Sequence, residues 1–161
     1  MTARREAQRL FDELNTRYFR GRLPRYQVRF VRRLPHGWQG SCDNEAKIIQ
    51  LLHGVNSSSR PPLRHLLLHE MCHIGLPDHG TRWQKRMHRL AELGEDWARK
   101  DAAYYAEMTA GMVKVFSLLK DAFDSGKPVP EEFLREAKEL CAEAAFGSGL
   151  DMRPIFRVVK K

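Results

Sequence analysis

A chain of 161 residues and 18.7 kDa holds one compact domain with room for a helical appendage, but not two full domains. Hydrophobic residues at 42%, charged residues at 30% and a mean hydropathy of -0.55 exclude a wholly disordered chain, and no run approaches the roughly 20 apolar residues that cross a bilayer. Net charge is +8, and it is unevenly spread. Residues 1–90 hold 17 Lys/Arg against 7 Asp/Glu, a balance of +10, whereas residues 91–161 hold 11 against 13, a balance of -2.

The first helix is expected over Ala3 to Phe19, where Ala7, Leu10, Phe11, Leu14, Tyr18 and Phe19 recur at three- and four-residue steps until Gly21 ends the pattern. Tyr26 to Arg33 alternates as a half-buried strand, with Tyr26, Val28 and Phe30 on one face and Gln27, Arg29 and Arg33 on the other. Trp38 to Cys42 and Lys47 to Leu52 are two further strands around the turn Asp43-Asn44-Glu45, giving a small three-stranded antiparallel sheet. Pro61-Pro62 opens a helix over Leu63 to Ile74, capped by Ser58 or Ser59 and stopped by Gly75 and Pro77. A second helix covers Thr81 to Leu93. Beyond Gly94 the chain is expected to stay helical over Glu95 to Phe123, whole or broken near Gly111, and again over Glu131 to Phe146, with Met152 to Lys161 a strand or tail.

The chemistry sits in His69-Glu70-Met71-Cys72-His73. Residues four apart on a helix stand one above the other, so both imidazoles can bind one metal, with Glu70 within reach of a water on it. Zinc suits such ligands; a catalytic zinc takes three protein ligands and leaves a position for water, whose pKa falls toward about 7. Glu70 is the expected general base. The third ligand is expected to be His79, in the turn Pro77-Asp78-His79-Gly80; His65, four residues before His69, and Glu92 on the next helix are its rivals.

Asn15, the segment Tyr18-Phe19-Arg20-Gly21-Arg22-Leu23, the strand after it, the loop with Gly37, Ile48 to Leu52, the metal motif and His79-Gly80-Thr81-Arg82-Trp83 follow one another in an order that resembles the SprT-like zinc metalloproteases, the family of Spartan. The resemblance covers roughly residues 8–90. It implies a minimal zincin-like α+β domain over residues 1–94, with zinc on His69, His73 and His79 and Glu70 as general base; the helical pattern and apolar residues beyond Gly94 add the expectation of a helical C-terminal extension over residues 95–161 packed on that core. The gap from His73 to His79 is shorter than in SprT and Spartan and looks more like WLM-type and YgjP-type relatives, and the cysteine ligands of a zinc ribbon are missing. Family members cleave proteins covalently trapped on DNA, which would give the basic first half a purpose.

Ten arginines between Arg4 and Arg33 favour polyanions, nucleic acid first, through phosphate neutralisation, with Arg29 and Arg33 as contacts. Cys42, Cys72 and Cys141 lack CxxC spacing and suit neither a disulfide framework nor a cysteine zinc site; Cys72 is expected to be a core thiol. Trp83, Met87 and Leu90 should pack on the metal helix. Asp78 serves either the turn or the second nitrogen of a metal histidine, and Tyr104 or Tyr105 is a candidate oxyanion donor. Phe116, Leu119, Phe123, Phe133, Leu134 and Leu140 call for burial. Acids within the N-terminal segment leave no signal-peptide apolar stretch, so the expectation is a cytoplasmic zinc endopeptidase. Its protein or peptide substrate would lie as an added strand along Ile48 to Leu52 or Trp38 to Cys42, and DNA is a further partner. The competing class is a non-proteolytic zinc-containing nucleic-acid-binding or regulatory protein, which would have no need of Glu70.

Overall fold

The computed structural model describes residues 3–35, 38–53, 62–126, 128–129, 131 and 134–135. The elements are α1 (Ala3–Phe19), β1 (Gln27–Val31), β2 (Gly40–Asp43), β3 (Ile48–Leu52), α2 (Leu63–Cys72), α3 (Thr81–Glu92) and α4 (Trp97–Ser125). This is an α+β fold with one small sheet. Contacts divide the chain into two compact units, Met1–Ala103 and Tyr104–Lys161. The first carries α1 to α3, the sheet and the opening turns of α4.

α1 buries Ala7, Phe11, Leu14 and Tyr18, the inward stripe that its three- and four-residue spacing demands. It ends where Arg20 and Gly21 both turn to positive φ. The Asn15 side chain locks that exit, donating to the Leu23 carbonyl and accepting from the Leu23 amide, each at 3.1 Å. The chain then enters β1, whose Val28 is buried while Arg29 is exposed.

The sheet order is β1-β3-β2. β3 pairs antiparallel with β2, through Cys42 opposite Ile49, but parallel with β1, through Val28 opposite Ile49. The expectation of an all-antiparallel sheet is therefore corrected to a mixed one. The tight turn after β2 lays β3 back beside it, with Asp43 Oδ1 accepting from the amides of Glu45 and Ala46 at 3.0 and 2.8 Å. The loop from β1 to β2 is long enough to reverse direction and leave β3 in the middle. A second correction follows: Ile48 to Leu52 has both edges filled and cannot take an added strand, so among the described strands the open edges belong to β1 and β2. A third concerns Arg33, which is exposed beyond the end of β1 and shares no strand face with Arg29.

α1 lies on β1 and α2 on β2 and β3, with α3 against α2. Leu66, Leu67, Leu68, Met71 and Cys72 of α2, Ile49 and Leu51 of β3, and Trp83, Met87 and Leu90 of α3 form the core of this unit. α2 starts at Pro62 with no side-chain cap; the expected caps Ser58 and Ser59 lie outside the described residues. α4 is continuous through Gly111. In the second unit Val115 is buried, whereas Phe116 stands 41% exposed, contrary to the burial expected of Phe116. Of the expected helix over 131–146, Glu131, Leu134 and Arg135 are described and helical; Phe133, Leu140 and the segment 152–161 lie outside the described residues. No described helix is long and apolar enough to cross a membrane.

Candidate metal centre

α2 presents His69 and His73 one turn apart, and the chain must then reverse sharply to return His79. Gly75, at φ +74, makes the reversal with a backbone conformation that other residues resist. Two side chains from outside fix it. Asn44, in the turn between β2 and β3, accepts from the Gly75 amide at 2.6 Å and donates to the His73 carbonyl at 3.2 Å. Arg86 of α3 donates to the carbonyls of Cys72 and Ile74 at 2.9 and 2.7 Å, placing a cation at the negative end of α2. The next turn is held by Asp78 Oδ1, which accepts from the Gly80 amide at 2.9 Å, and by Gln84, which donates to the His79 carbonyl at 3.1 Å.

The result is a convergence of three ring nitrogens. His79 Nε2 lies 3.2 Å from His69 Nε2 and 3.1 Å from His73 Nε2, and one nitrogen from each ring falls within 4.8 Å of the others. Trp83 is wholly buried against all three rings, with centroid separations of 4.9 Å to His69, 5.6 Å to His73 and 4.5 Å to His79. Burial, followed by the proximity of His69, pulls His73 down to about 3; burial, with His73 and His69, pulls His79 down to about 2. Both rings are thus neutral at pH 7, the form with a lone pair for a metal. Burial also opposes the charged form of His69, but the hydrogen bond to Asp101 and the charges of Glu70 and Asp101 outweigh it and raise its pKa. A ring that shares its Nδ1 proton with a carboxylate keeps Nε2 free to ligate.

Glu70 is buried beside this cluster, and burial, resisted by His69 and assisted by Asp101, pushes its carboxyl up to about 7. Its other neighbour is the backbone of β2 at Gly40, where an added Cβ would fall 2.5 Å from Glu70 Oε1. Cys72 points into the core with its thiol pushed up by burial, and Cys42 is pushed up to about 12 for the same reason; neither is a reactive thiolate. Cys141 lies outside the described residues.

The structure thus brings His69, His73 and His79 together and leaves out the rivals. The His65 ring stacks on Trp97 at 4.6 Å, and Glu92 is exposed. Asp78 serves the turn, while the carboxylate at a metal-site ring nitrogen is Asp101, with Oδ2 2.7 Å from His69 Nδ1. Nothing in the spacing of the motif singles out Asp101, which lies on another helix 32 residues from His69. Asn44 and Arg86 were equally hidden, because their partners are main-chain atoms. Tyr104 and Tyr105 pack edge to face on one another, with Tyr104 51% exposed.

The fold is α+β, and its three imidazoles, gathered at the end of one helix and the turn behind it, form a cluster that could hold a metal ion. The chain belongs to the SprT-like family, whose pattern matches residues 7–103. That stretch runs from α1 into the opening turns of α4 and so takes in Asp101. No curated protein and no solved structure matches the sequence. Family membership points to a metalloprotease-type function.

Proposed function

We propose that this protein is a zinc-dependent endopeptidase with His69, His73 and His79 as ligands and Glu70 as general base. The observation that carries the reading is the close approach of the three Nε2 atoms beside a buried carboxylate. Where each Nε2 carries its lone pair, nitrogens at 3.1 and 3.2 Å repel unless a cation lies between them. Tetrahedral zinc with Zn–N bonds of about 2.0 to 2.1 Å sets its ligand nitrogens about 3.3 Å apart, close to what is observed.

When bound, zinc supplies Lewis-acid polarisation of a carbonyl and lowers the pKa of a water molecule. Glu70 takes the proton of the attacking water and delivers it to the leaving amine. Its burial strips competing solvent from the carboxylate, and the Gly40 backbone limits where that carboxylate can swing. Gly40 of β2 lies beside Glu70, and the outer edge of β2 is open among the described strands, so an extended substrate pairing with Gly40 to Asp43 would bring its own backbone past the reacting groups. A non-proteolytic zinc protein would have no use for a buried glutamate here, since burying a carboxylate costs stability.

We assign nucleic acid as a second partner on the strength of charge. An open cleft of about 640 Å³ is lined by Arg4, Arg5, Arg25 and Lys47 with Gln8, Tyr26 and Gln27, and no carboxylate lines it among the described residues. Arg29 continues this basic face along β1, its guanidinium held by the Gln27 side chain at 2.8 Å. Such a surface suits phosphate contacts that position a strand without reading its bases.

The test is to incubate the zinc-loaded protein with an unfolded protein substrate and with a protein–DNA conjugate, each with and without free DNA. Cleavage of both is expected, with DNA-linked cleavage falling steeply with salt and lost in Arg25→Glu/Lys47→Glu. Cleavage that ignores salt would remove the nucleic-acid partner, and no cleavage of either substrate by protein with one zinc per chain would remove the peptidase.

A further inference from the structure

The opening turns of α4 lie alongside α2 in a fixed register. Arg64 of α2 pairs with Glu95 just before α4, with Nη2 and Oε1 2.6 Å apart. The His65 ring stacks on the Trp97 indole at 4.6 Å and 13°. One turn further along both helices, His69 meets Asp101, Nδ1 to Oδ2, at 2.7 Å. Ala98 and Ala102, next to Trp97 and Asp101 along α4, are buried. The Trp97 indole in turn donates to Glu95 Oε2 at 2.8 Å, and Glu95 is anchored to Tyr18 and Arg64. Asp101 is therefore held on a braced element.

We infer that Asp101 is the positioning residue of the metal centre, accepting the His69 Nδ1 proton so that the Nε2 lone pair faces the metal. The inference rests on the reading of His69, His73 and His79 as metal ligands. An imidazole has two tautomers, and one that places its proton on Nε2 cannot ligate through that atom. A carboxylate at Nδ1 selects the other tautomer, fixes the ring plane and increases the donor strength of Nε2. His73 is treated more weakly, its Nδ1 lying 3.4 Å from the Leu76 carbonyl oxygen. His69 thus carries the stronger orienting group, supplied from a helix that the metal motif itself does not include.

The role makes a graded prediction, because asparagine keeps the shape of aspartate and an acceptor oxygen but lacks the charge, whereas leucine fills the space with neither. Zinc affinity of the full chain is measured by competition with a chromophoric chelator for wild type, Asp101→Asn and Asp101→Leu, and the melting temperature of each metal-free protein is taken alongside. Affinity should fall in the order Asp, Asn, Leu, by about 10- to 100-fold at the end of the series, with metal-free melting temperatures alike. Equal affinity in all three would overturn the role of Asp101 while leaving the metal centre standing. An affinity loss matched by a lower metal-free melting temperature would also overturn it, since Asp101 would then support the fold and not the ring. A wild-type chain that binds no zinc would overturn the metal-centre reading itself.

Discussion

Gly40 of β2 and Glu70 of α2 are in such close approach that an added Cβ on Gly40 would lie 2.5 Å from Oε1 and 2.9 Å from Cγ of the glutamate. The end of a glutamate can swing aside, so the fold should tolerate alanine there. The carboxylate would lose its place. Gly40→Ala should therefore keep its metal and fold while losing activity, by up to about 100-fold, the scale on which a displacement of about 1 Å acts. Metal content, melting temperature and hydrolysis rate on one preparation check this; an unchanged rate would show that the position of Glu70 is immaterial.

The ligand assignment predicts a clear contrast among histidines. His79→Ala should lose zinc by more than the about 10- to 100-fold that an outer partner costs, whereas His65→Ala and Glu92→Ala should bind it as wild type does. At about 1,000 times its dissociation constant zinc stabilises a folded chain by about 4 kcal/mol. Added zinc should thus raise the melting temperature of wild type, His65→Ala and Glu92→Ala, but not that of His79→Ala. Zinc retained by His79→Ala, but lost from either of the other two, would reassign the third ligand.

Acid should weaken the fold through Glu95. Burial alone would raise its carboxyl, but hydrogen bonds from Tyr18, Arg64 and Trp97 and the charge of Arg64 outweigh burial and bring it down to about 2. A depressed carboxyl stabilises the fold above its unfolded pKa of about 4.5, and the contribution is lost as pH falls toward 2. Chemical denaturation from pH 7 to pH 2 should show this decline in wild type and a shallower one in Glu95→Gln, which starts lower. Parallel pH profiles would remove Glu95 from the account.

The parts legible in the sequence were those with a period. The stripe Ala7, Phe11, Leu14 and Tyr18 gave α1, the spacing of His69 and His73 gave two members of the histidine cluster, and Trp83, Met87 and Leu90 gave the buried face of α3. His79 was legible because a short turn leaves it little room to go elsewhere. The parallel pairing of β1 and β3 was not, because alternation marks a strand without naming its neighbour. Asp101 was hidden for a related reason: its partner is close in space and distant in sequence, and only the register of α4 against α2 joins them. The Arg64–Glu95 pair was hidden too, since a charge read from sequence looks solvated until its partners are known.

The central claim is tested most directly by Glu70→Gln, with zinc content and cleavage of an unfolded protein substrate measured on the same sample. Glutamine keeps the shape of the side chain but cannot accept the proton. The account predicts one zinc per chain, as in wild type, with cleavage reduced by about 100- to 10,000-fold. Wild-type cleavage by a zinc-loaded Glu70→Gln protein would contradict it.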